Sequence, residues 1–269
     1  MINLDLLEGV ARRAGKAILE IYATDFTVQR KADASPLTLA DTRSNGIITD
    51  WLRSAYPAIP VVSEEGKEIP YETRRRWDRF WLVDPLDGTK EFVKRNGEFT
   101  VNIALIEEET PVLGVIYIPV QDRLVMGDVR EGCWEVTGGE RRPLHVAENP
   151  PEGTVRIVRS RSHPSPGLER MLSLMPNHQI VNRGSSIKFC SVARGEADFY
   201  PRFGPTWEWD TAAGQAIVTA AGGVMVDMAG KPFTYNKKKL LNGPFLVSSS
   251  MQFLVKSGIL ETAARVWGK

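Results

Sequence analysis

Apolar residues recur every three or four positions at the start of the chain: Leu4, Leu7, Val10, Ala11, Ala14, Ile18 and Ile21, with Arg12, Arg13, Lys16 and Glu20 between them. That spacing predicts an amphipathic helix. A polar stretch containing residues 31–36 leads to a second helical pattern, carried by Ile47, Ile48, Trp51, Leu52 and Ala55, with Asp41 near its beginning and Pro57 as its stop. Residues 59–63 are apolar and β-branched and read as a strand that ends at Glu64 and Glu65. A further apolar run ends in Trp81-Leu82-Val83-Asp84-Pro85-Leu86-Asp87-Gly88-Thr89, which reads as a strand delivering two carboxylates to a tight loop, since proline fixes φ and glycine frees it. Residues 100–106, 112–118, 123–128 and 133–136 are β-rich, and their short connections, including Gly138-Gly139, predict an antiparallel meander.

Breakers cluster at Asn149-Pro150-Pro151-Glu152-Gly153, and beyond them strand-like and helical patterns alternate. Strands are expected at 155–158, 179–181, 197–200, 224–226 and 245–248. Helices are expected around Leu168, Met171, Leu172 and Met175, from Ser185-Ser186, over 211–221 after Asp210, and over 252–267. The resulting expectation is an α/β protein, with an α+β lobe over 1–149 built on an antiparallel sheet and an α/β lobe over 150–269.

Composition narrows the function classes. The chain has 269 residues, 42% hydrophobic and 25% charged, with 34 basic and 33 acidic side chains, so no global charge points to a nucleic acid polymer or an anionic membrane. The first residues lack the pattern of a signal peptide and no run is long enough to span a membrane, which makes a cytoplasmic protein, alternatively one peripheral to the inner membrane, the expectation. Cys133 and Cys190 are far apart and in no Cys-x-x-Cys pattern, so they read as reduced structural thiols rather than a disulfide or zinc site.

Candidate chemistry falls into two groups. Glu64, Asp84, Asp87 and Asp210 are acidic stations at strand or helix ends. Carboxylates crowded together raise one another's pKa, so such a cluster either binds a hard cation such as Mg2+ or is not a cluster. Taken singly, Asp-x-x-Asp-Gly is more often a solvated turn, and Asp210 suits a helix N-cap. Arg159-Ser160-Arg161-Ser162-His163, Gly184-Ser185-Ser186-Ile187-Lys188 and Tyr200-Pro201-Arg202 are basic and hydroxyl-rich and suit phosphate, although an exposed arginine usually serves no specific partner and His163 alone reads equally as surface or contact. Metal on one side and the rest of a phosphorylated substrate on the other is the implied division.

Val61-Val62-Ser63-Glu64-Glu65-Gly66, Trp81 through Thr89, and Trp209-Asp210-Thr211-Ala212-Ala213-Gly214 resemble, in order, the three signature segments of the inositol monophosphatase superfamily of lithium-sensitive, Mg2+-dependent phosphatases. The resemblance covers nearly the whole chain. Asp87-Gly88-Thr89-Lys90-Glu91-Phe92, Ser160-Arg161-Ser162-His163, Gly184 through Cys190 and Tyr200 through Thr206 look like the bacterial CysQ-type branch, the 3'(2'),5'-bisphosphate nucleotidases. Position by position, the resemblance implies that Glu64, Asp84, the Leu86 carbonyl, Asp87 and Asp210 hold two or three Mg2+ ions. It implies that Asp41 and Thr89, with Glu64, serve an attacking water, and that Gly88, Thr89, His163, Ser185, Lys188 and Arg202 contact substrate. It implies a layered α/β/α/β/α sandwich of the inositol monophosphatase and fructose-1,6-bisphosphatase type, acting in sulfur metabolism on adenosine 3',5'-bisphosphate as monomer or homodimer. Two departures touch the ring or sugar pocket: Trp207-Glu208-Trp209 is unusually aromatic, and Gly184 stands where some eukaryotic relatives carry an acidic residue. The rival expectations are an inositol monophosphatase or broad sugar-phosphate phosphatase, and a non-catalytic nucleotide-binding module.

Overall fold

The computed structural model describes residues 2–30, 36–148, 154–162, 165–175 and 177–268. The proposed lobe boundary at 149–153, His163, and most of the polar stretch at 31–36 lie outside these residues. Helices α1 (Leu4–Tyr22) and α2 (Leu39–Ala55) flank the hairpin of β1 (Gln29–Arg30) and β2 (Pro36–Leu37). Both start where the sequence supplies a cap: the Asn3 side chain accepts the Asp5 and Leu6 amides, and Thr38 pairs reciprocally with Asp41.

A seven-stranded sheet follows, in the order β3 (Val61–Ser63), β4 (Arg79–Asp87), β5 (Thr100–Glu107), β6 (Thr110–Ile118), β7 (Arg123–Asp128), β8 (Gly132–Thr137) and β9 (Glu140–Pro143). All neighbours run antiparallel except β3, which lies parallel to β4. Side chains of β4 alternate between two cores, as period 2 requires. Trp81 and Val83 join Leu7, Val10, Ile18 and Leu52 of α1 and α2 on one face, while Phe80 and Leu82 face the other way. Two short helices, α3 (Tyr71–Arg74) and α4 (Thr89–Val93), bracket β4 and were not expected from periodicity because neither exceeds about one turn.

The second sheet has the order β11 (His178–Arg183), β10 (Val155–Ser160), β12 (Phe199–Arg202), β16 (Phe245–Ser248) and β14 (Val224–Asp227). Around it lie α5 (Pro166–Ser173), α6 (Ile187–Ala193), α7 (Glu208–Ala220), α8 (Met251–Lys256) and α9 (Ile259–Trp267). A ribbon of β13 (Thr206–Trp207) and β15 (Leu241–Asn242) leads into α7. Helices α6 and α7 lie between the two sheets, where Phe189, Ala213 and Ile217 meet Leu82 and Ile116 on one side and Tyr200 and Val247 on the other. Helices α5, α8 and α9 cover the far face through Met171, Leu254 and Ile259. The layers are therefore α/β/α/β/α, as the resemblance implied.

The small residues of α7 have a packing reason: a Cβ on Gly114 of β6 would stand 2.3 Å from the Ala213 carbonyl, so helix and sheet approach to backbone contact. That approach brings the start of α7 to the end of β4. Three expectations need correction. The last helix is two, because Gly258 at φ 70° breaks the run over 252–267 in a conformation that only the backbone reveals. Met175 lies past the end of α5. Residues 84–87 are not a loop after a strand but the end of β4 itself, with the register against β5 shifting between Asp84 and Asp87.

Candidate active site

The bulge at the end of β4 turns Asp84 and Asp87 towards one point, where each meets Asp210 with carboxylate oxygens within 4.8 Å of one another. Asp210 is not the N-cap but the third residue of α7, where it closes the capping box: its Oδ2 accepts the Trp207 amide at 2.8 Å. Glu64 follows β3, and its amide donates to the Val83 carbonyl at 3.1 Å, which sets it beside Asp84 across the parallel pair. Its carboxyl stands within hydrogen-bonding range of that of Asp84 rather than inside the three-residue group.

Asp84 is 1% exposed, and burial, followed by the charges of Glu64, Asp87 and Asp210, pushes its carboxyl well above the usual range. Burial, then Asp87 and Glu64, does the same to Asp210, against the smaller pull of the Trp207 amide and Arg202. An all-oxygen donor set with this much uncompensated negative charge fits a hard divalent cation. The Leu86 carbonyl belongs to the same bulge: the Leu86 amide donates to Asp84 Oδ1 at 3.1 Å, and Ser44 of α2 ties down the adjacent Pro85 carbonyl at 2.7 Å.

Gly88 adopts φ 88° as the N-cap of α4, so the chain turns sharply and Thr89 begins the helix beside the carboxylates. The Thr89 hydroxyl lies 3.2 Å from Asp41 Oδ1 and 3.3 Å from the Leu86 carbonyl. The other Asp41 oxygen accepts both the Thr38 amide and the Thr38 hydroxyl at 2.7 Å. Asp41 thus closes the capping box of α2 with one oxygen and faces Thr89 with the other.

The second sheet's loops dock onto Asp87. Ser185 and Ser186 donate to Asp87 Oδ2 at 2.6 and 2.7 Å, and Ser186 also reaches the Asp210 carbonyl at 3.0 Å. Ser185 sits at φ 49°, a left-handed conformation that costs an L-residue about 1–2 kcal/mol. Glu98 offsets that strain: its carboxylate takes Arg161 through two bonds of 2.7 and 2.8 Å and the Gly184 amide at 2.7 Å. Gly184 fits no larger residue there, since a Cβ would lie 2.8 Å from the Glu98 carbonyl. Lys188 donates to the Ser185 carbonyl, and burial pulls its ammonium down to about 8, against the opposing charge of Asp87. Arg202 is folded against the Gly204 and Pro205 carbonyls at 3.2 and 3.1 Å. A cleft of about 400 Å³ is lined by Asp87, Gly88, Ser185, Lys188, Arg202 and Asp210 among others.

The structure therefore brings together all the expected positions except His163, which lies outside the described residues. Arg159 and Arg161 are paired with Glu169 and Glu98 instead of standing ready for an anion. Sequence reasoning missed Ser44, Glu98, Thr100, Asn102 and Ser186 as supports. For Thr100 and Asn102 a signal existed: they are polar positions two apart in an apolar strand, register partners of Asp87 and Asp84. Thr100 bonds Ser185 at 2.6 Å, and Asn102 bonds Ser186 at 2.9 Å.

Comparison with known proteins gives the same picture. The 3'(2'),5'-bisphosphate nucleotidase CysQ of Escherichia coli O157:H7 is 49% identical over 249 residues, 91% of this chain and 99% of that one. The crystal structure of CysQ from Bacteroides thetaiotaomicron superposes with a TM-score of 0.79 at 42% identity, covering 89% of this chain and 94% of that one. The suhB protein of Bartonella henselae shares the fold at a TM-score of 0.81 and 24% identity, over 97% of each chain. The sequence profile of the inositol monophosphatase family matches residues 4–260. With the profile spanning nearly every layer described above, and its acidic signature segments converging on one point, the chain belongs to the inositol monophosphatase family.

Proposed function

We propose that the protein is a 3'(2'),5'-bisphosphate nucleotidase that hydrolyses the 3'-phosphate of adenosine 3',5'-bisphosphate to AMP and phosphate. One cleft is lined both by carboxylates, Asp87 and Asp210, and by buried or half-buried cations, Lys188 and Arg202, and this juxtaposition carries the proposal. A single phosphate on a neutral ring needs only the first set, whereas a second phosphate needs the other. The near-full-length similarity to CysQ supports the same substrate class.

Glu64, Asp84, Asp87, Asp210 and the Leu86 carbonyl would hold Mg2+, in two or three ions. Bound there, Mg2+ supplies positive charge that acidifies water and neutralises phosphate oxygens. Thr89 Oγ1 donates its single proton to Asp41 Oδ1, which leaves its lone pairs to accept a proton from the attacking water. Asp41 is the base at the end of this relay, and Thr38 fixes its orientation through the other oxygen. Water's oxygen forms the new bond to phosphorus as the P–O3' bond breaks, and the electron pair leaves on O3', which takes a proton from solvent water to become the 3'-hydroxyl of AMP. The Gly88 and Thr89 amides would steady the transferred phosphoryl group, while Ser185, Lys188 and Arg202 hold the remainder of the substrate; His163 is proposed for the same role on the resemblance alone. Neither Cys133 nor Cys190 takes part, since both are free and buried.

The test is phosphate release from adenosine 3',5'-bisphosphate and from inositol 1-phosphate in parallel, with and without Mg2+ and with added Li+. The expected result is Mg2+-dependent, Li+-inhibited turnover with a clearly higher kcat/KM for the nucleotide. Equal or better turnover of inositol 1-phosphate would overturn the substrate assignment.

A further inference from the structure

One wall of the cleft is not explained by phosphate or metal chemistry. Trp207 and Leu241 are cross-strand partners in the β13–β15 ribbon, and both line the cleft together with Asp87, Lys188 and Arg202. They are 40% and 42% exposed, so a tryptophan and a leucine stand side by side in water at the mouth of a charged site. Large apolar side chains kept exposed beside convergent polar groups mark where a ligand's apolar surface rests. Trp207 is also stacked on Trp209, with ring centroids 5.3 Å apart and planes 12° from parallel. Trp209 immediately precedes Asp210 in α7, so the stack is anchored on the element that carries a carboxylate of the site.

The fold does not need an indole at position 207. Helix α7 is capped there through the main chain, by the Trp207 amide on Asp210, and the ribbon pairs through the main chain as well. Any residue with an amide would serve both purposes. What the main chain leaves unexplained is the indole itself, which stacks on Trp209 and lines the cleft.

We infer that Trp207 is the base-stacking residue of this cleft: its indole, backed by Trp209 and edged by Leu241, carries the flat heteroaromatic base of a nucleotide substrate. This rests on the bisphosphate nucleotidase assignment above and deepens it. A polyol phosphate has no flat π-face to offer, so Trp207 sets the preference for nucleotides as a class. It does not read the base, because every base presents a π-face to an aromatic ring.

The experiment compares wild type, Trp207→Ala and Trp207→Phe on adenosine 3',5'-bisphosphate and on 1-deoxyribose 3,5-bisphosphate, which has hydrogen in place of the base. The quantity read is the ratio of the two KM values, with melting temperatures to confirm that each variant is folded. Trp207→Ala is expected to erode the nucleotide's KM advantage by about tenfold, the usual loss when one stacking ring is truncated, and Trp207→Phe to keep most of it. Nucleotide binding is also expected to quench the emission of Trp207 more than the base-free analogue does, read as the difference between wild type and Trp207→Phe. An unchanged KM ratio in folded Trp207→Ala overturns the inference while leaving the nucleotidase assignment intact. A wild-type protein that releases no phosphate from either compound overturns both, and one that shows no preference for the nucleotide overturns base stacking alone.

Discussion

Replacing Thr89 by valine tests the proposed proton relay with almost no change in side-chain shape. The Thr89 hydroxyl is the only part lost, and it stands 3.2 Å from Asp41 Oδ1 and 3.3 Å from the Leu86 carbonyl. Without it, water has no route for its proton to Asp41, and a positioned general base is worth about 10²–10⁴ in rate, or about 3–5 kcal/mol of activation free energy. The ground-state cost is smaller. Asp41 Oδ1 loses the Thr89 donor, which costs about 1–3 kcal/mol of stability and lowers the melting temperature by several degrees without unfolding a chain this size at 25 °C. Steady-state phosphate release should therefore show kcat reduced by two to four orders of magnitude with KM little changed, since the lost interaction acts in the transition state. Thr89→Ser keeps the hydroxyl and should stay within about tenfold of wild type. Wild-type kcat in Thr89→Val would refute the relay. A Ser variant as damaged as Val would show that the methyl group's packing, not the hydroxyl, matters.

Three further outcomes are expected. Lys188→Ala should raise KM for adenosine 3',5'-bisphosphate about tenfold or more but leave that for a nucleoside 3'-monophosphate nearly unchanged, and equal changes would argue against a second-phosphate contact. Asp84 and Asp210 have folded pKa values raised by burial and like charge, so without metal the contribution of these two groups to stability is fully present below the ordinary carboxylate value of about 4 and is lost as pH rises from there through the raised values. A divalent cation held there would relieve that repulsion: Mg2+ at a fixed concentration about a hundred times its Kd at pH 8 should add about 2.7 kcal/mol, or about 5 °C of melting temperature, at pH 8 and less at pH 5, and an equal rise at both would contradict the cluster. Glu98→Gln weakens the charge-assisted clamp on Arg161 and the Gly184 amide, so kcat should fall about tenfold with Ser185 misplaced on Asp87, and Glu98→Gln with unaltered kcat would show that the loop holds its shape unaided.

Much of this site was legible in the chain because hard-cation chemistry requires particular residue types, and Asp84, Asp87 and Asp210 carry that requirement in their identity. Periodicity placed α1 and the strands from Thr100 onwards because burying one face forces period 3.6 or 2 on the sequence. What it misplaced were local backbone events. The β4 bulge, the left-handed Ser185 and the break at Gly258 each depend on φ values that the neighbouring fold imposes or permits. Asp41 shows the limit well: its capping role in Thr38-x-x-Asp41 is local, while its second oxygen finds Thr89 only through the tertiary fold.

The stretch Trp81–Thr89 by itself could determine only that two carboxylates leave a strand near a glycine turn. Whether they met Asp210, or ended as a solvated turn, was decided by the packing of α7 onto the sheet, because carboxylates repel and gather only where buried contacts elsewhere force them together. The same holds for substrate choice. The sequence names Lys188, Arg202 and Trp207, but only the tertiary structure puts two cations and an exposed indole into one cleft with the carboxylates, since no local rule relates positions so far apart in the chain.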